Sequence, residues 1–261
     1  VSHVVVECPT GLVVVLRKFK VKDEDLLTDP KTIRNGAAVN DLLEAITHKV
    51  EETGPYRLRE PRKKKGETES YLDWNDVLQG DRMTVLLKNR IHTWGPELEF
   101  SQPCTNCPNK KVEIEIDLND LVIKPLPEES IPHVLDPGAV SISRVLPGCG
   151  VKVSFRLLRG DDEKKLIKLQ KQKKDSQSSS YFRFRITEIE GVPQNTWIKW
   201  IEDLDADDSA WLRAAFDEAD CGVDQEVQFE CEDCGFVWLD DVRFRADFLF
   251  PKYRRKSTSK T

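Results

Sequence analysis

The stretch Trp94-Gly95-Pro96-Glu97-Leu98-Glu99-Phe100-Ser101-Gln102-Pro103-Cys104-Thr105-Asn106-Cys107 has a degenerate counterpart in Cys221-Gly222-Val223-Asp224-Gln225-Glu226-Val227-Gln228-Phe229-Glu230-Cys231-Glu232-Asp233-Cys234. Gly95 and Gly222, Glu99 and Glu226, and both cysteines of each pair recur at one offset of 127 residues. The register runs back without a gap to Asp81 and Asp208. An internal repeat decides the fold before any local propensity does. The chain therefore reads as a duplication that carries half a metal site in each copy.

Outward from these hairpins, Gly11-Leu12-Val13-Val14-Val15-Leu16-Arg17, followed by Asp23-Glu24, matches Gly150-Val151-Lys152-Val153-Ser154-Phe155-Arg156, followed by Asp162-Glu163. Alternation in both predicts a strand after a glycine turn. Ile46-Thr47 falls opposite Ile186-Thr187. A helix is expected from Asp81 to Ile91 and another from Asp208 to Phe216, each with its aspartate at the N-cap or in the first turn. Gly95 and Gly222 stand where those helices should stop. Val112 to Leu118 alternates strictly and Val242 to Phe248 more loosely, so both are expected as strands leaving the cysteine loops. Both copies then end in an apolar step to proline, at Pro125 and Pro251.

These features predict an α+β protein of two related lobes, each a short sheet packed by helices. The first repeat spans 1–131, a linker spans 132–147 with turns marked by Pro137-Gly138 and, at its end, Pro147-Gly148, the second repeat spans 148–251, and a basic tail spans 252–261. The first copy carries about a dozen extra residues at Arg57–Ser70.

Two thiolates separated by two residues on a tight turn can reach one ion, and two such pairs supply the four sulfurs of a closed tetrahedral zinc site. Cys104, Cys107, Cys231 and Cys234 are the expected ligands of one structural zinc per chain, in a zinc-ribbon-like arrangement that joins the hairpins. The same residues could also stand as inert thiols, short-range disulfides or a redox motif, although neither pair follows a strand and opens a helix as a thioredoxin-like motif does. A shared site would tie Cys107 to Cys231, and a crosslink closing a loop of that order removes on the order of 4–5 kcal/mol of denatured-state entropy. With all four positions filled there is no open coordination site for catalysis. Cys8, Cys149 and Cys221 read as small buried residues. His92 lies near the first cysteine pair but is not needed as a ligand.

A hydrophobic content of 39% over 261 residues is enough for a substantial core. The N-terminal valines are too few to span a membrane and no secretory leader precedes them, which points to the cytoplasm. A net charge of −6 gives no general attraction to nucleic acid. Basic residues concentrate at Arg57, Arg59, Arg62, Lys63, Lys64 and Lys65, from Lys164 to Lys174 and from Lys252 to Lys260. The first group is the candidate partner contact. Lys164 to Leu169 reads as a helix running into a flexible linker at Asp175–Ser180. No phosphate loop, His-Glu-x-x-His or Gly-x-Ser-x-Gly motif is present, so no enzyme and no small-molecule substrate are expected.

The string Gly80-Asp81-Arg82, Arg90-Ile91, Trp94-Gly95-Pro96-Glu97-x-Glu99-Phe100 and Cys104-x-x-Cys107 resembles the baseplate proteins of T-even-like contractile-tailed bacteriophages. Phe155-Arg156-Leu157-Leu158, Asp207-Asp208, Gly222-Val223-Asp224 and Cys231-x-x-Cys234 resemble the other half of the same pattern. Pro108 departs from the glycine usual after the second cysteine, whereas Gly235 keeps it in the second copy. The resemblance implies a non-enzymatic baseplate hub subunit or hub assembly factor that contains a zinc ribbon. Its partners would be other baseplate, hub or tail-tube proteins, and its place the virion tail baseplate after assembly in the host cytoplasm. The alternative from another class is a zinc-ribbon nucleic-acid-binding protein of transcription type.

Overall fold

The computed structural model describes residues 2–61, 70–108, 111–136, 141–172, 177–242, 244 and 246–251. It begins with β1 (His3–Glu7) and β2 (Leu12–Arg17), joined at Gly11, whose φ of 84° suits glycine. Three helices follow, α1 (Val21–Thr28), α2 (Pro30–Asn35) and α3 (Ala38–Ile46), and the chain returns as β3 (Thr47–Thr53) to complete an antiparallel sheet of order β1-β2-β3. Leu12, Val14 and Leu16 alternate into the core, and Leu42, Leu43 and Ile46 of α3 are buried too.

The long helix α4 (Gln79–Trp94) ends at Gly95, where φ is 92°. The hairpin of β4 (Glu97–Gln102) and β5 (Val112–Asp117) comes next, then β6 (Ile123–Lys124) and α5 (Ile131–Leu135). A second three-stranded sheet comprises β7 (Ile142–Val145), β8 (Lys152–Phe155) and, beyond α6 (Gly160–Gln172) and α7 (Gln177–Arg185), β9 (Ile186–Ile189), again in sequence order. The chain continues through α8 (Trp197–Glu202), α9 (Ala206–Ala219), β10 (Gly222–Val223), the hairpin of β11 (Glu226–Glu230) and β12 (Val237–Asp241), and α10 (Ala246–Leu249).

Polar side chains fix the first helix after each sheet turn in the same way. Arg17 grips Asp23 with two N–H groups at 2.7 and 2.9 Å while the Lys20 N–H donates to the same carboxylate at 2.7 Å. Arg156 grips Asp162 with two bonds of 2.7 Å, and the Arg159 N–H adds a third at 3.0 Å. Burial alone would raise both carboxyls, but the arginine forks outweigh it and hold them below the usual range.

Asp81 and Asp208 lie in the first turns of α4 and α9 as expected, yet their carboxylates serve the neighbouring sheets. Asp81 accepts from the Thr10 N–H at 3.3 Å, the Thr10 hydroxyl and the Tyr56 hydroxyl at 2.6 Å. Asp208 accepts from the Gly148 and Cys149 N–H groups at 2.7 and 2.9 Å. Each aspartate pins the turn between the first two strands of a sheet to a long helix. Burial raises the Asp81 carboxyl, whereas the two backbone donors, Gly148 first, lower that of Asp208.

The two stretches of chain interlock. Backbone bonds run from Gln79 N–H to Leu158 O at 2.9 Å, from Gly160 N–H to Val77 O at 3.1 Å and from Asp161 N–H to Asn75 O at 3.0 Å. Arg82, fully buried, reaches Glu163 at 2.9 Å. β6 pairs with β10, bringing Lys124 opposite Gly222. One buried cluster includes Val14, Leu16 and Leu86 together with Val153, Phe155 and Phe216. The tightest contact is at Gly80, where an added Cβ would lie 2.0 Å from the Cys221 carbonyl oxygen and one on Gly222 would lie 2.4 Å from the Gly80 Cα.

Several local expectations change. α9 stops at Ala219, three residues before Gly222, whose φ of 107° serves the approach to Gly80 instead. The strand leaving the second cysteine loop is β12, and the expected strand over Val242–Phe248 gives way to α10 from Ala246, where Phe248 stacks on Phe244 with ring centres 4.4 Å apart. Gln177–Ser180, expected as flexible linker, opens α7. The stretch 132–147 holds most of α5 and all of β7, which pairs with β8. Cys8 is buried, Cys221 half-buried and Cys149 exposed, so the last is not a core residue.

Gly80→Ala should lower unfolding free energy by at least about 2 kcal/mol, because backbone rather than a flexible side chain occupies the space; urea titration checks this. The lowered Asp23 and Asp162 carboxyls contribute stability above their unfolded value of about 4, and that stability is lost as pH falls through the folded values. Urea midpoints should therefore decline below about pH 4, and a double Asp23→Asn, Asp162→Asn variant should start lower with a shallower decline.

Candidate metal centre

Each cysteine pair sits at the end of a two-stranded hairpin. β4 and β5 register Glu97 with Asp117 through Gln102 with Val112, and β11 and β12 register Glu226 with Asp241 through Glu230 with Val237. Because strand side chains alternate, Phe100, Val112 and Ile114 share one face of the first hairpin, and Phe229 and Trp238 one face of the second. These faces meet. Phe100 and Phe229 pack edge to face with ring centres 5.9 Å apart, Phe229 touches Trp238, and a small core of Val112, Ile114, Phe229, Cys104 and Cys231 forms beneath the loops. It is distinct from the main buried cluster, with Ile116 and Val227 packed against both.

Above this core the four sulfurs converge. Sγ of Cys104 lies 3.8 Å from Sγ of Cys234, Sγ of Cys107 lies 3.8 Å from Sγ of Cys231, and all four lie within 4.8 Å of one another. Tetrahedral zinc with Zn–S bonds of about 2.3 Å requires S···S edges of roughly 3.8 Å. A disulfide would need about 2.0 Å, and all seven cysteines are free thiols. The donor set and its spacing fit a thiolate-bound divalent ion. Among the described residues no other group of three or more such side chains converges in this way.

Hydrogen bonds fix both cysteine loops. In the first, the Asn106 N–H donates to Sγ of Cys104 at 3.3 Å, and its Nδ2 lies 3.9 Å from Sγ of Cys234. In the second, the Gly235 N–H returns to Cys231 O at 2.8 Å with φ at 64°, and the Cys231 N–H donates to Phe236 O at 2.9 Å. Burial pushes the Cys104 thiol up, but N–H donors at Asn106 and Cys107 and the neighbouring thiols outweigh this and bring it down to about 7. Cys104 and Cys231 are buried, Cys107 is half-buried and Cys234 is exposed, so the cluster lies at the protein surface.

All four expected ligands are thus brought together. Asn106 and the aromatic contacts below are not among the expected features; their signals are a polar residue between the cysteines and the apolar alternation of Leu98, Phe100 in one hairpin and Val227, Phe229 in the other. His92 stays outside, its Nε2 3.3 Å from Ser2 O. Of the basic candidates, Arg57 is exposed, whereas Arg59 is engaged by Asp73 at 3.0 Å and Asp76 at 2.7 Å. Backbone bonds of 2.8 and 3.1 Å between Arg59 and Tyr71 close the base of the extra segment. Arg62, Lys63, Lys64 and Lys65, and the tail 252–261, lie outside the described residues.

The family model described as T4 bacteriophage base plate protein matches residues 1–242, a span that contains both hairpins and all four cysteines. The chain belongs to this family. Comparison with curated proteins and with solved structures gives no match. Membership implies a place in the virion tail among other baseplate proteins, and it suggests a structural rather than an enzymatic protein. Among the described residues of this baseplate protein no helix is long and apolar enough to cross a membrane.

The aromatic contact makes a prediction of its own. Phe229→Ala should destabilise the hairpin pair by about 3 kcal/mol or more. In hydrogen exchange, amides of both hairpins should lose protection together while those of β2 and β8 keep theirs.

Proposed function

We propose that this chain is a non-enzymatic building block of the baseplate, acting at the hub as a structural component or assembly factor, and that its four cysteines hold one structural zinc. The family match over residues 1–242 carries the baseplate reading. The zinc reading is supported by the 3.8 Å sulfur separations and by the absence of an open ligand position in a four-thiolate set. Four thiolates this close repel one another unless a cation lies between them. The ion would clamp two hairpins that are 124 residues apart in the chain and, by stabilising only the folded form, would contribute folding free energy.

The chain is further read as an internal duplication whose repeats, 1–131 and 148–251, are fused by this clamp. Support comes from the repeated Arg–Asp forks, the two sheets of equal strand order and the paired turn-holding aspartates. Arg57 and the basic residues after it remain candidate contacts for acidic neighbours during assembly in the host cytoplasm; Arg59, already paired, contributes less. The nucleic-acid alternative gains nothing from the second cysteine loop, where Glu230, Glu232 and Asp233 are exposed.

Cys107→Ser or Cys234→Ser should lower the melting temperature of the whole chain, and a strong chelator should do the same to the parent. If both variants melted like the parent, with and without chelator, the structural zinc would be abandoned. Quantitative mass spectrometry of finished tails and of assembly intermediates separates the two baseplate roles: stoichiometric presence in tails marks a structural component, and enrichment only in intermediates marks an assembly factor.

A further inference from the structure

The second hairpin turns an unusual face outward. Trp238 points in and packs on Phe229, so alternation along β12 places Val237 and Leu239 on the opposite side, where they are 45% and 59% exposed. Their cross-strand neighbours are Glu230 and Gln228, and the next pair on the same face is Glu226 with Asp241, all exposed. Two adjacent aliphatic side chains are thereby framed by three carboxylates. An apolar centre within a charged rim is the usual anatomy of a protein-binding surface.

We infer that the outer face of β11 and β12 is a docking surface for a different baseplate protein, one that presents aliphatic side chains flanked by lysine or arginine. The inference rests on the reading of the chain as a protein-docking building block, and it locates a contact distinct from the basic segment near Arg57. Charge selects the occupant. A second copy seated on the same face would bring Glu226, Glu230 and Asp241 against their own counterparts, which like-charge repulsion opposes. Nucleic acid is repelled for the same reason.

The first hairpin marks the difference between charge alone and a seat. Its outer face carries Glu97, Glu99, Glu113, Glu115 and Asp117, with no aliphatic side chain exposed among them, so it offers a partner no apolar surface to cover. The second hairpin offers both. Its strands are also held at one end by the cysteine loop and beneath by Phe229, so little ordering is required when a partner arrives.

A carbodiimide that joins carboxylates to lysines without a spacer tests this on baseplates, or on the baseplate intermediates that contain the chain. Glu226, Glu230 or Asp241 should become linked to lysines of another baseplate protein, and a Val237→Ser, Leu239→Ser variant should enter particles on the order of tenfold less efficiently. The variant's melting curve and metal content, measured on the purified chain, should match the parent, which separates loss of the surface from loss of the fold. Links only between copies of this chain, or no links together with unchanged incorporation, would overturn the inference. If the chain is found in neither baseplates nor intermediates, the building-block reading itself fails and the docking surface with it.

Discussion

Four cysteine sulfurs drawn from two hairpins occupy one small volume, and the remaining structure supplies the conditions for that. As thiolates the sulfurs would each carry negative charge, so on the proposed zinc reading their convergence calls for a central cation as well as a scaffold that aims the loops. The scaffold consists of two short hairpins packed face to face through Phe100 and Phe229. Below them, β6 and β10 run side by side, with Lys124 reaching Asp224 at 3.1 Å. Lower still, Gly80 and Gly222 let α4 approach the strand that leads into the second hairpin. A side chain at either glycine would force this close approach apart.

Much of this was legible in the sequence because the repeated residues are those with few substitutes. Cysteines at two-residue spacing, glycines where the backbone must turn or approach closely, and aspartates that accept several donors all recur at fixed offsets. Arg17 with Asp23 and Arg156 with Asp162 stood out as matching letters, and their forks explain why both members are needed. The turn-holding role of Asp81 and Asp208 was not legible, since a first-turn aspartate is usually read as a local helix feature. Only the fold brings Thr10 and Cys149 to them.

Elsewhere the sequence misled for definable reasons. Val242 to Phe248 carries alternation and four-residue spacing at once, and a turn of helix forms from Ala246, with Phe248 stacked on Phe244. Gly222 copies Gly95 in register but not in task, because a neighbouring helix rather than a helix end makes the demand. The interlock of residues 75–79 with 158–161 had no sequence signal, as it is made by backbone groups. Taken together these contacts hold the hairpins on one interlocked body with charged faces turned outward, a form suited to a component that must fit among fixed neighbours.

X-ray absorption at the zinc edge of the purified chain tests the central claim most directly. The account predicts one zinc per chain with four sulfur neighbours at about 2.3 Å and no nitrogen or oxygen in the first shell. A mixed sulfur and oxygen shell, or a chain that retains no zinc when purified under reducing conditions, would contradict it.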